Sequence, residues 1–169
     1  MALIVETGSG SSSSESYASV AEADAYHLSI GNTPWAGITE TEKEQALRRA
    51  MAHLTITYRK SWQGYRAFPT QALDWPRYGV YLKDANTVIT NVDIPKLLKD
   101  ALCDIAILAA AGELNPALGQ GVLSKQVGPI KITYDGTSPR SKQYVAVDAK
   151  LSVFLKLEAS GAMRRLVRV

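Results

Sequence analysis

Apolar residues recur along this chain in two rhythms, and the change between them divides it. From residue 19 to residue 112, three stretches follow the 3–4 spacing of a helix face. The first opens at Ser19-x-x-Glu22. That is capping-box spacing: the hydroxyl accepts from the third helical N–H and the carboxylate reaches back. It runs to about Ser29 and stops near Gly31-Asn32. The second opens at Thr39-x-x-Glu42 and covers about residues 40–59, with Ala46, Leu47, Ala50, Met51, Leu54 and Tyr58 as one stripe. Glu40, Glu42 and Glu44 fall in its first turns, where the helix dipole favours negative charge. The third follows Asp93-Ile94-Pro95, where proline is preorganised for a first turn and Asp93 can cap it. Leu97, Leu98, Ala101, Leu102, Ile105, Leu108 and Ala109 make this helix the most apolar and therefore central, and Gly112 stops it.

After Asn115-Pro116 the rhythm shortens to two. Val122 to Tyr134 reads as extended, broken at Gly128-Pro129, with Asp135-Gly136 as a turn pair and Gln143 to Val147 as a returning strand. A last helix over about 147–159 places Leu151, Phe154 and Leu155 on one face and ends at Gly161. At the N-terminus, Leu3-Ile4-Val5 runs into Gly8-Ser9-Gly10-Ser11-Ser12-Ser13-Ser14, which has linker composition. Residues 60–92 lack a helical period and read as an aromatic-rich connection with short turns. The expected fold is mainly α: a small bundle of three to four helices with an extended β-hairpin arm and flexible N- and C-terminal extensions. It forms one domain over 1–169. The parts are an N-terminal extension at 1–18, a helical core at 19–112, the arm at 120–147, a C-terminal helix at 147–160 and a basic tail at 161–169.

Length and composition change this picture little. A chain of 169 residues can hold a core without staples, and its single cysteine permits no internal disulfide. No apolar run reaches a membrane span, and Met1-Ala2-Leu3-Ile4-Val5-Glu6 lacks the basic start of a signal peptide, so a soluble, cytoplasmic product is expected. Charge changes it more. The net charge of +3 hides a polarity. Residues 1–45 carry seven acids and one base, net −6; residues 46–119 carry nine bases and six acids, net +3; residues 120–169 carry nine bases and three acids, net +6. Such a chain suits a charged partner or a neighbouring copy, unless its ends fold back and cancel.

The usual marks of catalysis are missing. His27 and His53 lie on different helices without ligand spacing, and Cys103 sits inside the apolar third helix. Gly8-Ser9-Gly10 lacks the rest of a phosphate loop. The reading is not an enzyme, with no metal and no cofactor. One segment stands out instead. Tyr58-Arg59-Lys60-Ser61-Trp62-Gln63-Gly64-Tyr65-Arg66 interleaves cations and aromatics, and Trp75-Pro76-Arg77-Tyr78 continues it. Bases stacking on aromatic faces, with Arg or Lys on phosphates, is the physics of single-strand binding. Arg59, Lys60, Trp62, Tyr65, Arg66, Trp75 and Arg77 are the candidate nucleic-acid or interface patch. The competing reading puts Trp62 and Trp75 in the core, each indole N–H on a backbone carbonyl.

A resemblance rests on Ser16-Tyr17-Ala18-Ser19-Val20-Ala21-Glu22-Ala23-Asp24-Ala25-Tyr26, on Tyr58-Arg59-x-x-Trp62-x-Gly64-x-Arg66, and above all on Gln71-Ala72-Leu73-Asp74-Trp75-Pro76-Arg77. With these residues the chain resembles a tailed-phage family labelled DnaT-like single-stranded DNA-binding protein, and is similar to head–tail connector (adaptor) proteins. The connector likeness implies a structural subunit with no cofactor. Twelve copies would form a ring that binds the portal protein, extends the DNA channel without specific DNA contact, and docks a tail, stopper or nozzle protein. It implies a place at the head–tail interface of the virion, after assembly in the host cytoplasm. On that reading the tail Arg164, Arg165, Leu166, Val167, Arg168 and Val169 meets the portal or a neighbouring subunit. The alternative is a single-stranded DNA-binding module in phage DNA replication, with tryptophan quenching lost on changing Trp62 and Arg66.

Overall fold

The structure is a computed structural model that describes residues 2–114, 124–127, 130–133 and 144–156. The chain runs α1 (Val20–Ser29), α2 (Thr33–Ala36), α3 (Glu40–Tyr58), β1 (Tyr65–Arg66), β2 (Arg77–Tyr78), β3 (Tyr81–Leu82), β4 (Thr87–Val88), α4 (Lys96–Ala111), β5 (Ser124–Val127), β6 (Ile130–Thr133) and α5 (Val145–Leu151). A 3-10 turn, Ser152–Phe154, follows. Among the described residues the strands form three separate antiparallel pairs, β1–β2, β3–β4 and β5–β6. The mainly helical fold with small hairpins is the expected class. Among the described residues, no helix is long and apolar enough to cross a membrane.

The helix starts follow from local chemistry. Ser19 and Glu22 form a complete capping box, as do Thr39 and Glu42. α3 packs chiefly against α4. Ala46, Leu47, Ala50 and Leu54 of α3 meet Leu98, Ala101, Leu102 and Ile105 of α4 in the core. α4 is therefore the central helix that its apolar sequence predicts. Its cap differs from expectation. Pro95 is the N-cap residue and no side chain caps the helix, while the Asp93 carboxylate accepts from the Thr90 hydroxyl. The short α2 was not legible either. Its proline at the first helical positions and a buried Trp35 account for it.

Two expectations about the second half are corrected. Gln143 to Val147 does not return as a strand, because α5 begins at Val145. Val147 and Leu151 are buried four residues apart while Val145 is 73% exposed, so helical spacing satisfies the core and a period of two does not. The extended run Val122 to Tyr134 divides into β5 and β6, paired with each other with Val127 opposite Ile130; the turn pair Asp135-Gly136 falls outside the described residues. The last helix ends at Leu151 and continues as the 3-10 turn. Glu158, Gly161 and the tail 161–169 lie outside the described residues.

The Ser-rich N-terminal loop is closed upon itself rather than left as a free linker. Glu6, 1% exposed, gathers it. The Gly8, Gly10 and Ser11 amides each donate to its carboxylate at 2.9 Å, and the Ser14 hydroxyl donates at 3.0 Å. A carboxylate ringed by amides satisfies donors that would otherwise need water. Gly10, at φ +69°, lies so close to the Phe68 ring that a Cβ would stand 2.1 Å from it. The Ala72 amide donates to the Ser11 carbonyl at 2.9 Å. The loop thus braces residues 68–72.

Much of the acidic first third is answered within the subunit. Glu15 pairs with Arg48 at 2.9 Å, Asp24 with Lys43 at 2.9 Å, and Glu22 with Lys99 at 2.7 Å. Lys43 belongs to the first third itself and Arg48 and Lys99 to the middle part, so these three pairs do not set the acidic start against the basic end.

Candidate nucleic-acid interface

The aromatic–basic segment folds into the β1–β2 ribbon at the end of α3, and this divides its aromatics. Trp62 and Trp75 go inside, at 1% and 0% exposure. Their rings meet edge to face at 6.0 Å, Trp75 meets Phe154 at 5.5 Å, and Trp62 meets Tyr58 at 5.7 Å. They close the end of the bundle, as the core reading expects. The expected carbonyl partners for their indole N–H groups are not found among the described residues: neither Nε1 atom is hydrogen-bonded to them at good geometry. The Tyr17 hydroxyl accepts from the Trp75 amide at 3.0 Å, and burial pushes its phenol pKa far up, so it stays protonated.

Arg77 and Gln71 build the frame. The Arg77 guanidinium donates to the carbonyls of Gln63 at 2.7 Å, Gly64 at 2.8 Å and Asp74 at 3.1 Å. The Gln71 amide donates to the Leu73 and Pro76 carbonyls at 2.8 and 3.1 Å, and its oxygen accepts from the Phe68 amide at 2.8 Å. Gly64 sits at φ +61°, and a Cβ there would stand 2.2 Å from the Tyr78 carbonyl. Only glycine lets β2 approach so closely. Arg66 is half-buried and donates to the Gln71 carbonyl. Two of the candidate cations, Arg66 and Arg77, therefore point inward and hold backbone. So do Gln71, Trp75 and Arg77 of the run that carries the resemblance.

The outer face of the ribbon belongs to tyrosines. In the β1–β2 register Tyr65 faces Tyr78 and Arg66 faces Arg77, so one pair points out and the other in. Tyr65 and Tyr78 are 70% and 51% exposed, with ring centroids 5.8 Å apart and planes tilted by 35°. Arg59 and Lys60 are exposed at the end of α3. Arg59 also reaches the buried Asp74 carboxylate at 3.3 Å. Burial raises the Asp74 pKa above the ordinary carboxylate value, although Arg59, Arg77 and the Trp62 indole pull against it. Lys156 brings another exposed cation here: its amide donates to the Ser61 carbonyl at 2.7 Å. The Gln63 side chain holds the Val153 and Leu155 carbonyls at 3.0 and 3.1 Å. Tyr78 and Lys156 were missed as site residues. Lys156 lies far along the chain, and Tyr78 is outward only through the strand register.

Elsewhere the side chains are quiet. Burial pushes the Cys103 thiol up to about 12 and lowers the His27 pKa below that of a free imidazole. Among the described residues no group of three or more His, Cys, Asp or Glu is placed to hold a metal ion. The candidate tail residues 164–169 lie outside the described residues, so their contacts have no structural account.

No curated protein and no solved structure matched the chain. One family did, described as "Putative DnaT-like ssDNA binding protein", over residues 1–169. With the full length matched, this chain belongs to the DnaT-like ssDNA-binding protein family.

Proposed function

We propose that this protein binds single-stranded nucleic acid, sequence-tolerantly, on the outer face of the β1–β2 ribbon. The carrying observation is the cross-strand pair Tyr65 and Tyr78, exposed at 70% and 51% in a protein that buries all three of its tryptophans. Exposed paired rings are a stacking platform, and every base has a π-face to offer. Arg59, Lys60 and Lys156 are the cations placed to follow a phosphate backbone. The family membership supports the same reading. The net charge of +3 is small, so affinity is expected to be modest and to fall steeply with salt.

The test is anisotropy of a labelled oligothymidine at low salt. Replacing both tyrosines (Tyr65→Ala with Tyr78→Ala) is expected to weaken binding about 5- to 150-fold, equivalent to roughly 1–3 kcal/mol for one stacked base. No binding by the unaltered protein at low salt overturns the reading. Direct stacking on tryptophan is not expected, so the reporter is the oligonucleotide label rather than tryptophan emission.

A second reading is the connector subunit: an oligomeric ring on the portal protein that extends the DNA channel and docks a tail component in the virion. One observation favours it. Among the described residues β5 and β6 pair only with each other, as an arm would, and the chain beyond α5 is fastened to the ribbon by Trp62 and Gln63. Exposed tyrosines also suit protein docking. Electron microscopy of the subunit mixed with portal separates the two: a ring at the portal favours the connector. Under that reading, removing residues 161–169 abolishes ring assembly without unfolding the subunit.

A further inference from the structure

We infer that a groove between the β3–β4 hairpin, the start of α4 and the Ser152–Phe154 turn is the docking site of this chain's own C-terminal segment, residues 163–169. The groove has a volume of about 500 Å³. The half-buried Ile94 and the buried Phe154 line it, as do Val88 and Leu97, 55% and 44% exposed. Asp84 and Asp93 line it as well. Lys96, the cation beside them, is held by Asp100 at 2.6 Å, which leaves the groove's free charge negative. An apolar trough with acidic edges asks for a segment that alternates apolar side chains and cations.

Met163-Arg164-Arg165-Leu166-Val167-Arg168-Val169 is such a segment, with three arginines and no acid. The described chain that leads to it ends close to the groove. Phe154 lines the groove, and the chain beyond it is fastened by the Trp62–Leu155 bridge and the Lys156–Ser61 hydrogen bond at 2.7 Å. From Lys156 to Leu166 an extended chain spans up to about 33 Å, ample for return to a groove that begins at Phe154. A tethered segment meets its site at a local concentration on the order of millimolar, which favours the chain's own tail over that of a second copy. Docking would cover Val88 and Leu97 and set the three arginines against Asp84 and Asp93.

The test uses the full chain carrying Val88→Cys with Val167→Cys under mild oxidation, read on non-reducing gels. Cys103 is buried and does not compete. A control chain carries Leu28→Cys, a remote and 83% exposed position, with Val167→Cys. Intrachain crosslinking is expected at least ten-fold faster at Val88 than at Leu28, independent of protein concentration, and slowed several-fold by Asp84→Lys with Asp93→Lys. Equal rates at the two positions overturn the proposal. So does a disulfide-linked dimer whose yield rises with concentration, because it assigns the groove to a second copy. Neither outcome depends on what Tyr65 and Tyr78 bind.

Discussion

Trp62 with Trp75, and Tyr65 with Tyr78, are two aromatic pairs from a single stretch of chain, and they have opposite fates. The tryptophans are sealed against Tyr58 and Phe154 at the end of the helical bundle. The tyrosines face each other across a two-residue ribbon in open solvent. The cations divide in the same way: Arg77 holds three carbonyls, while Lys60 is exposed. An aromatic–basic composition thus contains two populations. One builds the ribbon, and the other is what the ribbon presents. Mutations can be sorted by that division.

The largest effect is expected inside. Trp75→Ala should cost about 3–5 kcal/mol of stability in denaturant unfolding, as a large core truncation does. Tyr78→Ala should stay within about 0.5 kcal/mol. Similar losses from the two would erase the distinction. Next comes the brace behind the segment. Glu6→Ala strands the Gly8, Gly10 and Ser11 amides. Unpaired buried donors cost about 1–3 kcal/mol, so a loss of roughly 3 kcal/mol is expected in the same measurement. On the outside, Lys60→Gln should leave unfolding unchanged and flatten the salt dependence of oligonucleotide binding by about 0.7 in log–log slope, the value for one phosphate contact on a single strand.

The smallest expected effect is on pH dependence. Burial raises the Asp74 pKa in the folded state, so the native protein takes up that proton first as pH falls. Stability from this group therefore rises as pH drops through the folded value, and levels off below the unfolded value of about 3.9. Glu15 and Glu22 act in the opposite sense. Hydrogen bonds to Arg48 lower the first; for the second, Lys99 and Ser19 outweigh the opposing burial. Their contribution is lost as pH falls through their folded values. Asp74→Asn removes the opposing term, so acid unfolding followed by circular dichroism should become steeper. A shallower acid profile would show that Asp74 carries its charge unhindered in the interior.

Legible in the sequence were α1, α3 and α4, the capped starts at Ser19 and Thr39, and the central place of α4. Caps and 3–4 spacing are properties of neighbouring residues, so they can be read without knowing the fold. The sequence also singled out the segment that folds into the β1–β2 ribbon, and offered the core reading of Trp62 and Trp75 that their burial bears out. Its pattern marked Gly128-Pro129 as a break in one extended run but not β5 and β6 as partners, because strand pairing is not a property of neighbouring residues. Which aromatics face solvent was decided only by tertiary structure. Strands of two residues have no period to read. Their register is held by Gly64 approaching Tyr78, by Arg77 on three carbonyls, and by Gln63 fastening a C-terminal turn about ninety residues away. Outward and inward in a ribbon that short are set by contacts from distant chain, and no window of sequence contains them.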